Sequence, residues 1–195
     1  MAFFLYQGWN FSFLCVILSQ DTGKHPDNLR NWCMAIIVRK FENHDAGRVA
    51  EILFQSFKSV FKELWDDKQS DDGEHWKKDA HVETPSQMTT AFVAVQDERP
   101  VGFLHVTANF RYGLGTLHCI GVDPGCFARG VGKAMFAEAE KFWKEHNIRK
   151  VYTCTSHINS RALAFYKSVG FEEEGVLKSH FFESIDEIQL AKFYK

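Results

Sequence analysis

The stretch Val122-Asp-Pro-Gly-Cys-Phe-Ala-Arg-Gly-Val-Gly-Lys-Ala134 constrains this chain more than any other part of it. It follows a strand pattern at residues 116–122 and opens a helical one at 130–146. In the latter, Val131, Met135, Phe136, Ala139 and Phe142 share one face. Pro124 and Gly125 end the strand. Gly130 and Gly132 let backbone N–H groups approach a ligand with no Cβ in the way. A helix N-terminus adds unpaired donors and the positive end of a dipole. With Arg129 and Lys133 beside it, this turn is an anion site suited to a pyrophosphate, bound through residues 127–133.

Spacing excludes two other phosphate-binding turns. A P-loop needs G-x-x-x-x-G-K-[ST], but its first glycine position here is Phe127, and Ala134 replaces the hydroxyl residue. A dinucleotide turn needs Gly or Ala where this chain has Met135. The bland reading is a glycine-rich turn with no ligand. The coincidence of strand end, glycines and helix start weighs against it.

Around this segment the pattern predicts a strand at 35–41 and a long amphipathic helix after Asp45, its expected N-cap. Residues 66–86 read as loop with a short helix around 76–81. Strands follow at 90–96, 101–109 and 116–122, the first two as a hairpin. A strand at 151–156 precedes a short helix at 160–169 that Gly170 stops. Residues 171–182 and 187–194 close the chain as a strand pair. The order is β-α-β-β-β-α-β-α-β-β, with no internal repeat.

A length of 195 residues fits one domain, and a net charge of −2 gives no pull toward nucleic acid or anionic membrane. Cys15, Cys33, Cys119, Cys126 and Cys154 are odd in number and form no C-x-x-C. That points to reduced thiols in a cytoplasmic protein. The histidines show no paired ligand spacing, so no metal is expected. The stretch 1–33 is apolar at first. It lacks the basic start and cleavage site of a secretory signal and falls short of the ~18 apolar residues of a membrane span. It reads as an extension that precedes the functional domain, or as an arm that packs on the domain or on a second copy in a homodimer.

A second element lies downstream: Asn159, Ala162, Phe165-Tyr166 and Gly170-Phe171. Together with Val122-Asp123-Pro124 and Phe127-Ala128-Arg129-Gly130-Val131-Gly132, it resembles the GNAT superfamily of acetyl-CoA-dependent N-acetyltransferases. That family carries Q/R-x-x-G-x-G/A after its fourth strand. The one departure is Phe127, which stands at the Gln/Arg position. The resemblance covers about 35–195, so 34–195 is expected to be the N-acetyltransferase domain. It implies an α/β (α+β) fold, a mixed, mostly antiparallel twisted sheet flanked by helices. The strands 116–122 and 151–156 would splay to leave a cleft.

The resemblance also implies roles. Acetyl-CoA is the cosubstrate. Its phosphates would meet the main chain of Phe127, Ala128, Arg129, Gly130, Val131, Gly132 and Lys133, with Asn159 as a further contact or simply a helix N-cap. Its pantetheine arm would bond the backbone at Ile120 and Val122. Tyr166 matches the general acid, a phenol of pKa ~10 that can protonate a departing thiolate. His118 is the candidate base, with His157 second. Cys119, Cys126 and Cys154 read as packing residues rather than nucleophiles. The acceptor would be a primary amine, on a protein or a small molecule. Asp66, Asp67, Asp71, Asp72 and Glu74 hint that it is cationic. The rival reading is a catalytically silent acyl-CoA-binding sensor or interaction module. A thioester hydrolase lacks an evident nucleophile or acid pair.

Overall fold

The alternating segments at the centre of the chain form its longest ladder. In the computed structural model, which describes residues 35–64 and 72–194, β3 (Gln87–Gln96) and β4 (Arg99–Asn109) pair antiparallel. Their two-residue turn places Asp97 at φ 53° and Glu98 at φ 62°. Two successive left-handed residues match the twist of the flanking strands, as in a type I′ hairpin. β5 (Leu114–Val122) adds to β4 antiparallel, as the expected meander requires.

The first strand, β1 (Ile37–Lys40), leads into α1 (Ala46–Phe61). Asp45 holds the N-cap position of α1 without a side-chain cap bond. Its carboxylate instead accepts from Arg39 Nη1 and Nη2 at 2.7 and 2.8 Å and from the Glu42 N–H at 2.8 Å. The short helix is α2 (Trp76–Asp79), and it is followed by a strand that the polar composition of 66–86 concealed, β2 (Val82–Thr84). β1 and β2 share the outer edge of β3, opposite residues 92–95 and 87–89 respectively. Beyond β5 come α3 (Val131–Glu145), β6 (Lys150–Ser156), α4 (Ser160–Ser168), β7 (Glu172–Phe182) and β8 (Ile185–Phe193).

The sheet has eight strands in the order β1-β3-β4-β5-β6-β8-β7, with β2 beside β3. Its one parallel pair is β5 with β6, and α3 makes the crossover between them. This is the mixed, mostly antiparallel sheet with flanking helices that the sequence implies. One face packs under α1, through Val49, Ala91, Val93, Phe103 and Cys119. The other packs under α3 and α4, through Leu104, Val106, Leu117, Ile120, Met135, Phe136, Trp143 and Phe165. The expected extension at 1–33, with Cys15 and Cys33, lies outside the described residues, as do Asp66, Asp67 and Asp71.

Trp143 is fully buried, and its Nε1 donates to the Thr107 carbonyl at 3.0 Å. It lies so close to β5 that a Cβ on Gly115 would meet its Nε1 at 2.7 Å. Trp143→Ala should therefore cost about 3–5 kcal/mol. A lowered urea midpoint with an unchanged m-value would show it.

Candidate active site

The parallel ladder between β5 and β6 is short. It joins Leu114 with Lys150, Gly115 with Val151 and Thr116 with Tyr152, and then stops. At the next step the Thr153 hydroxyl donates to the Leu117 carbonyl at 3.0 Å, so a side chain takes an acceptor that the backbone ladder would otherwise use. From there to Val122 and Ser156 the two strands diverge, leaving an open gap in the middle of the sheet.

The backbone of β5 along this gap is oriented by its other neighbour. Asp123 N–H bonds the Val101 carbonyl at 2.8 Å, so Asp123 faces β4. Alternation along a strand then turns Ile120 and Val122 the opposite way, toward the gap. The Val122 carbonyl accepts from Ser56 Oγ of α1 at 3.3 Å. A β-bulge intervenes one turn earlier. Val106 opposes Leu117 and His105 opposes Cys119, which leaves His118 as an inserted residue.

After β5 the chain makes a short 3-10 turn at Pro124–Cys126, where the Asp123 carboxylate accepts from the Gly125 N–H at 2.8 Å. The same carboxylate is paired with Arg48 of α1, which ties the turn to that helix. Ala128 and Gly130 then take left-handed conformations, φ 59° and 84°. Two left-handed residues so close together curl the chain into a concave turn of N–H groups, a form that binds anions. Residues 128–130 are exposed, so the turn is open to a ligand. Ala134 N–H is the helical donor to Gly130, so those of Val131, Gly132 and Lys133 have no acceptor within α3. Arg129 and Lys133 are exposed and make no ion pair with a described residue.

The two glycines serve different ends. Gly130 supplies the positive φ, and nothing lies within 4 Å of its Cβ position. Gly132 is buried, and a Cβ there would meet Phe165 at 3.1 Å. It lets α3 pack close against α4, a packing role beside the ligand approach expected from the sequence. Phe127 turns its ring inward and joins the core, with the Arg161 guanidinium 5.5 Å from its centroid. Only the backbone of Phe127 is left to meet a ligand.

Residues 50–171, more than half of the chain, match the acetyltransferase (GNAT) family. The chain belongs to this family. An uncharacterized N-acetyltransferase of Methanocaldococcus jannaschii is 34% identical over 92 residues, 45% of this chain and 41% of that protein. This chain therefore spans less than half the length of that relative. A GCN5-related N-acetyltransferase from Kribbella flavida superposes with a TM-score of 0.65 at 17% identity, over 82% of this chain and 98% of that one. The PaiA N-acetyltransferase from Thermoplasma acidophilum, solved in complex with coenzyme A, gives 0.64 at 18%, over 83% and 100%. At these identities the structural likeness concerns the fold.

Within this GNAT domain the structure places the sequence-derived residues as follows. Residues 127–133, Ile120 and Val122 lie along the gap and at the turn that ends β5. Asn159 is the N-cap of α4, its Oδ1 accepting from the Ala162 N–H at 3.1 Å. Tyr166 has no exposed surface and packs edge-on against Phe165 and Phe171, ring centroids 5.6 and 5.3 Å away. His157 Nδ1 accepts from the Asp186 N–H at 3.0 Å. Cys119, Cys126 and Cys154 are free thiols, and burial pushes Cys119 and Cys154 up to about 12, which opposes thiolate formation. Among the described residues no group of three or more His, Cys, Asp or Glu could hold a metal. No described helix is long and apolar enough to cross a membrane.

His118 lies on the α1 side of the sheet, 2.5 Å from Thr107 Oγ1 and with its ring 5.0 Å from that of His105. The ring of Trp76 meets that of His105 at 5.1 Å. Burial pushes His118 down to about 4. Burial, then the neighbouring His118, push His105 down to about 3, with His81 and His75 adding to the effect. Both imidazoles are thus neutral near pH 7. No local pattern signals this pair, because the bulge that brings His118 beside His105 is invisible in one dimension.

The sign of the resulting pH effect follows from the direction of both shifts. The unfolded chain takes up these protons near the ordinary value of 6.5, whereas the folded chain resists until about 4 and about 3. Their contribution to stability is full above 6.5 and is lost as pH falls through that range. Thermal melts should show a decline on acidification that becomes shallower in the double variant His105→Gln, His118→Gln.

Proposed function

We propose that this chain transfers the acetyl group of acetyl-CoA to a primary amine by direct attack in a ternary complex. The observation that carries the reading is the continuity of the opened β5–β6 gap with the exposed turn at 128–130 and the start of α3. A long ligand with a diphosphate at one end and an extended amide-bearing arm fits that shape. The N–H groups at the start of α3 would hold the diphosphate, with Arg129 and Lys133 beside them. The arm would take the place of the missing strand pairing, bonding the backbone edge of β5 at Ile120 and at the Val122 N–H.

A thioester is already activated, so the protein needs no covalent intermediate. Its task is to hold amine and carbonyl carbon in line and to stabilise the oxyanion of the tetrahedral intermediate. The N–H of Ile120 is aimed into the gap for the latter role. As the C–S bond breaks, its electron pair goes to sulfur, and the Tyr166 hydroxyl protonates the thiolate. Tyr166 lies on α4, where Phe165 and Phe171 pack edge-on against its ring. His118 and His105, both neutral, would line the acceptor side as hydrogen-bonding walls.

Tyr166→Phe should lower kcat by about 10²-fold or more, the usual worth of a positioned proton donor. Calorimetry should show acetyl-CoA affinity nearly unchanged. CoA release across an amine panel measures the first quantity. An unaltered kcat, with chemistry shown to limit turnover, would remove the role. Binding of acetyl-CoA without turnover on any amine would favour the silent acyl-CoA-binding module instead.

A further inference from the structure

The reaction proposed above leaves one proton unassigned, the one that the attacking amine must lose. The two imidazoles on the acceptor side are weak acceptors for it, since their conjugate acids lie near 4 and 3. A different group on the same face has the right geometry. Glu187 of β8 stands opposite Ser156, the last residue of β6, and opposite Leu177 of β7. Ser156 borders the gap left by the divergence of β5, so Glu187 lies one strand spacing from its edge, roughly 5 Å.

Its side chain faces α1. Alternation along β6 puts Val151 and Thr153 on the α3 side, where Thr153 meets Leu117, and so puts Cys154 and Ser156 on the α1 side. Glu187 shares the face of its cross-strand partner Ser156. The neighbouring hairpin end is roofed by α1, where Phe61 meets Phe182 at 5.1 Å and Phe182 pairs with Ile185. Only 3% of Glu187 is exposed, yet it has no hydrogen bond or ion pair from any described side chain. A buried carboxylate without a cation is costly, and such a group is kept where a ligand supplies the missing charge or proton.

We propose that Glu187 receives the acceptor amine: its carboxylate binds the incoming ammonium and takes the proton that frees the attacking lone pair. This assignment rests on the transferase reading. The steps balance. One N–H proton passes to the carboxylate, nitrogen bonds the acetyl carbon, and the C–S bond breaks. The thiolate takes its proton from Tyr166, and as the tetrahedral intermediate collapses to the amide the second amine proton restores the Tyr166 phenol, while Glu187 later gives its proton to solvent. Burial holds Glu187 at about 7, so near neutral pH it is an acceptor of matched strength. The acceptor class that fits is a cationic primary amine that enters from the α1 side.

Titratable and charged groups also stand on the elements around Glu187. From β6, Cys154 faces it and has its own thiol held at about 12. From β7, Lys178 is exposed and paired with Asp186 at 2.7 Å. Lys58 near the end of α1 and Lys62 just after it are exposed. His157 is exposed and bound to the backbone of Asp186.

The test is CoA release by the full chain with a panel of cationic amines, as a function of pH. Glu187→Gln should lower kcat/KM by about 10²-fold or more and abolish the rise in activity through pH about 7, whereas Glu187→Asp should keep a reduced, shifted rise. Acetyl-CoA affinity by calorimetry should stay nearly constant in both, and near-UV circular dichroism should confirm the fold. His118→Gln should keep the rise. Wild-type turnover with an indifferent Glu187→Gln, or a rise that vanishes only in His118→Gln, overturns the assignment to Glu187 alone. A wild-type chain that binds acetyl-CoA but acetylates no amine overturns the transferase reading and this assignment with it.

Discussion

The site exists because a parallel ladder fails after three residue pairs. Strands of a sheet separate only when something else satisfies the backbone groups they abandon, since an unpaired N–H or C=O shielded from water costs more than a hydrogen bond returns. On β5 the Leu117 carbonyl is taken by the Thr153 hydroxyl and the Val122 carbonyl by Ser56. What stays open is the stretch between them, with Ile120 at its centre. The crossover helix α3 starts at the wide end of that opening. Its unpaired first-turn N–H groups are therefore presented at the mouth of the gap and not elsewhere.

Two attachments hold this geometry. The Asp123 carboxylate bonds the turn at Gly125 and pairs with Arg48, so the end of β5 is joined to α1. Gly132 lets α3 settle against Phe165, so the start of α3 is joined to α4. The glycine-rich segment is thus fixed from both sides of the sheet, and its N–H groups are pre-oriented before any ligand arrives.

Much of this was legible in the chain itself. The strand-turn-helix at 116–146 and the Asn159 to Phe171 segment are local patterns, set by glycine position and helical period, and both families of backbone N–H groups follow from them. The Arg129 and Lys133 charges were equally plain. The packing role of Gly132 was not legible, because it depends on a neighbour, Phe165, thirty-odd residues away. β2 was missed because its three residues are all exposed and carry no apolar alternation. The His105–His118 pair and the buried Glu187 depend on cross-strand register, which no local pattern encodes. In sequence, Glu187 is one more acid in a polar stretch with Glu183 and Asp186.

The inserted residue on β5 changes one face of the sheet and not the other. His118 and Cys119, though consecutive, both look toward α1, while Leu117 and Ile120 look toward α3. A strand without the extra residue would keep Leu117, Cys119 and Ile120 on the faces they occupy here, because plain alternation already places them so. The bulge therefore adds a side chain to the α1 face without turning any other over, and that added side chain is an imidazole set beside another.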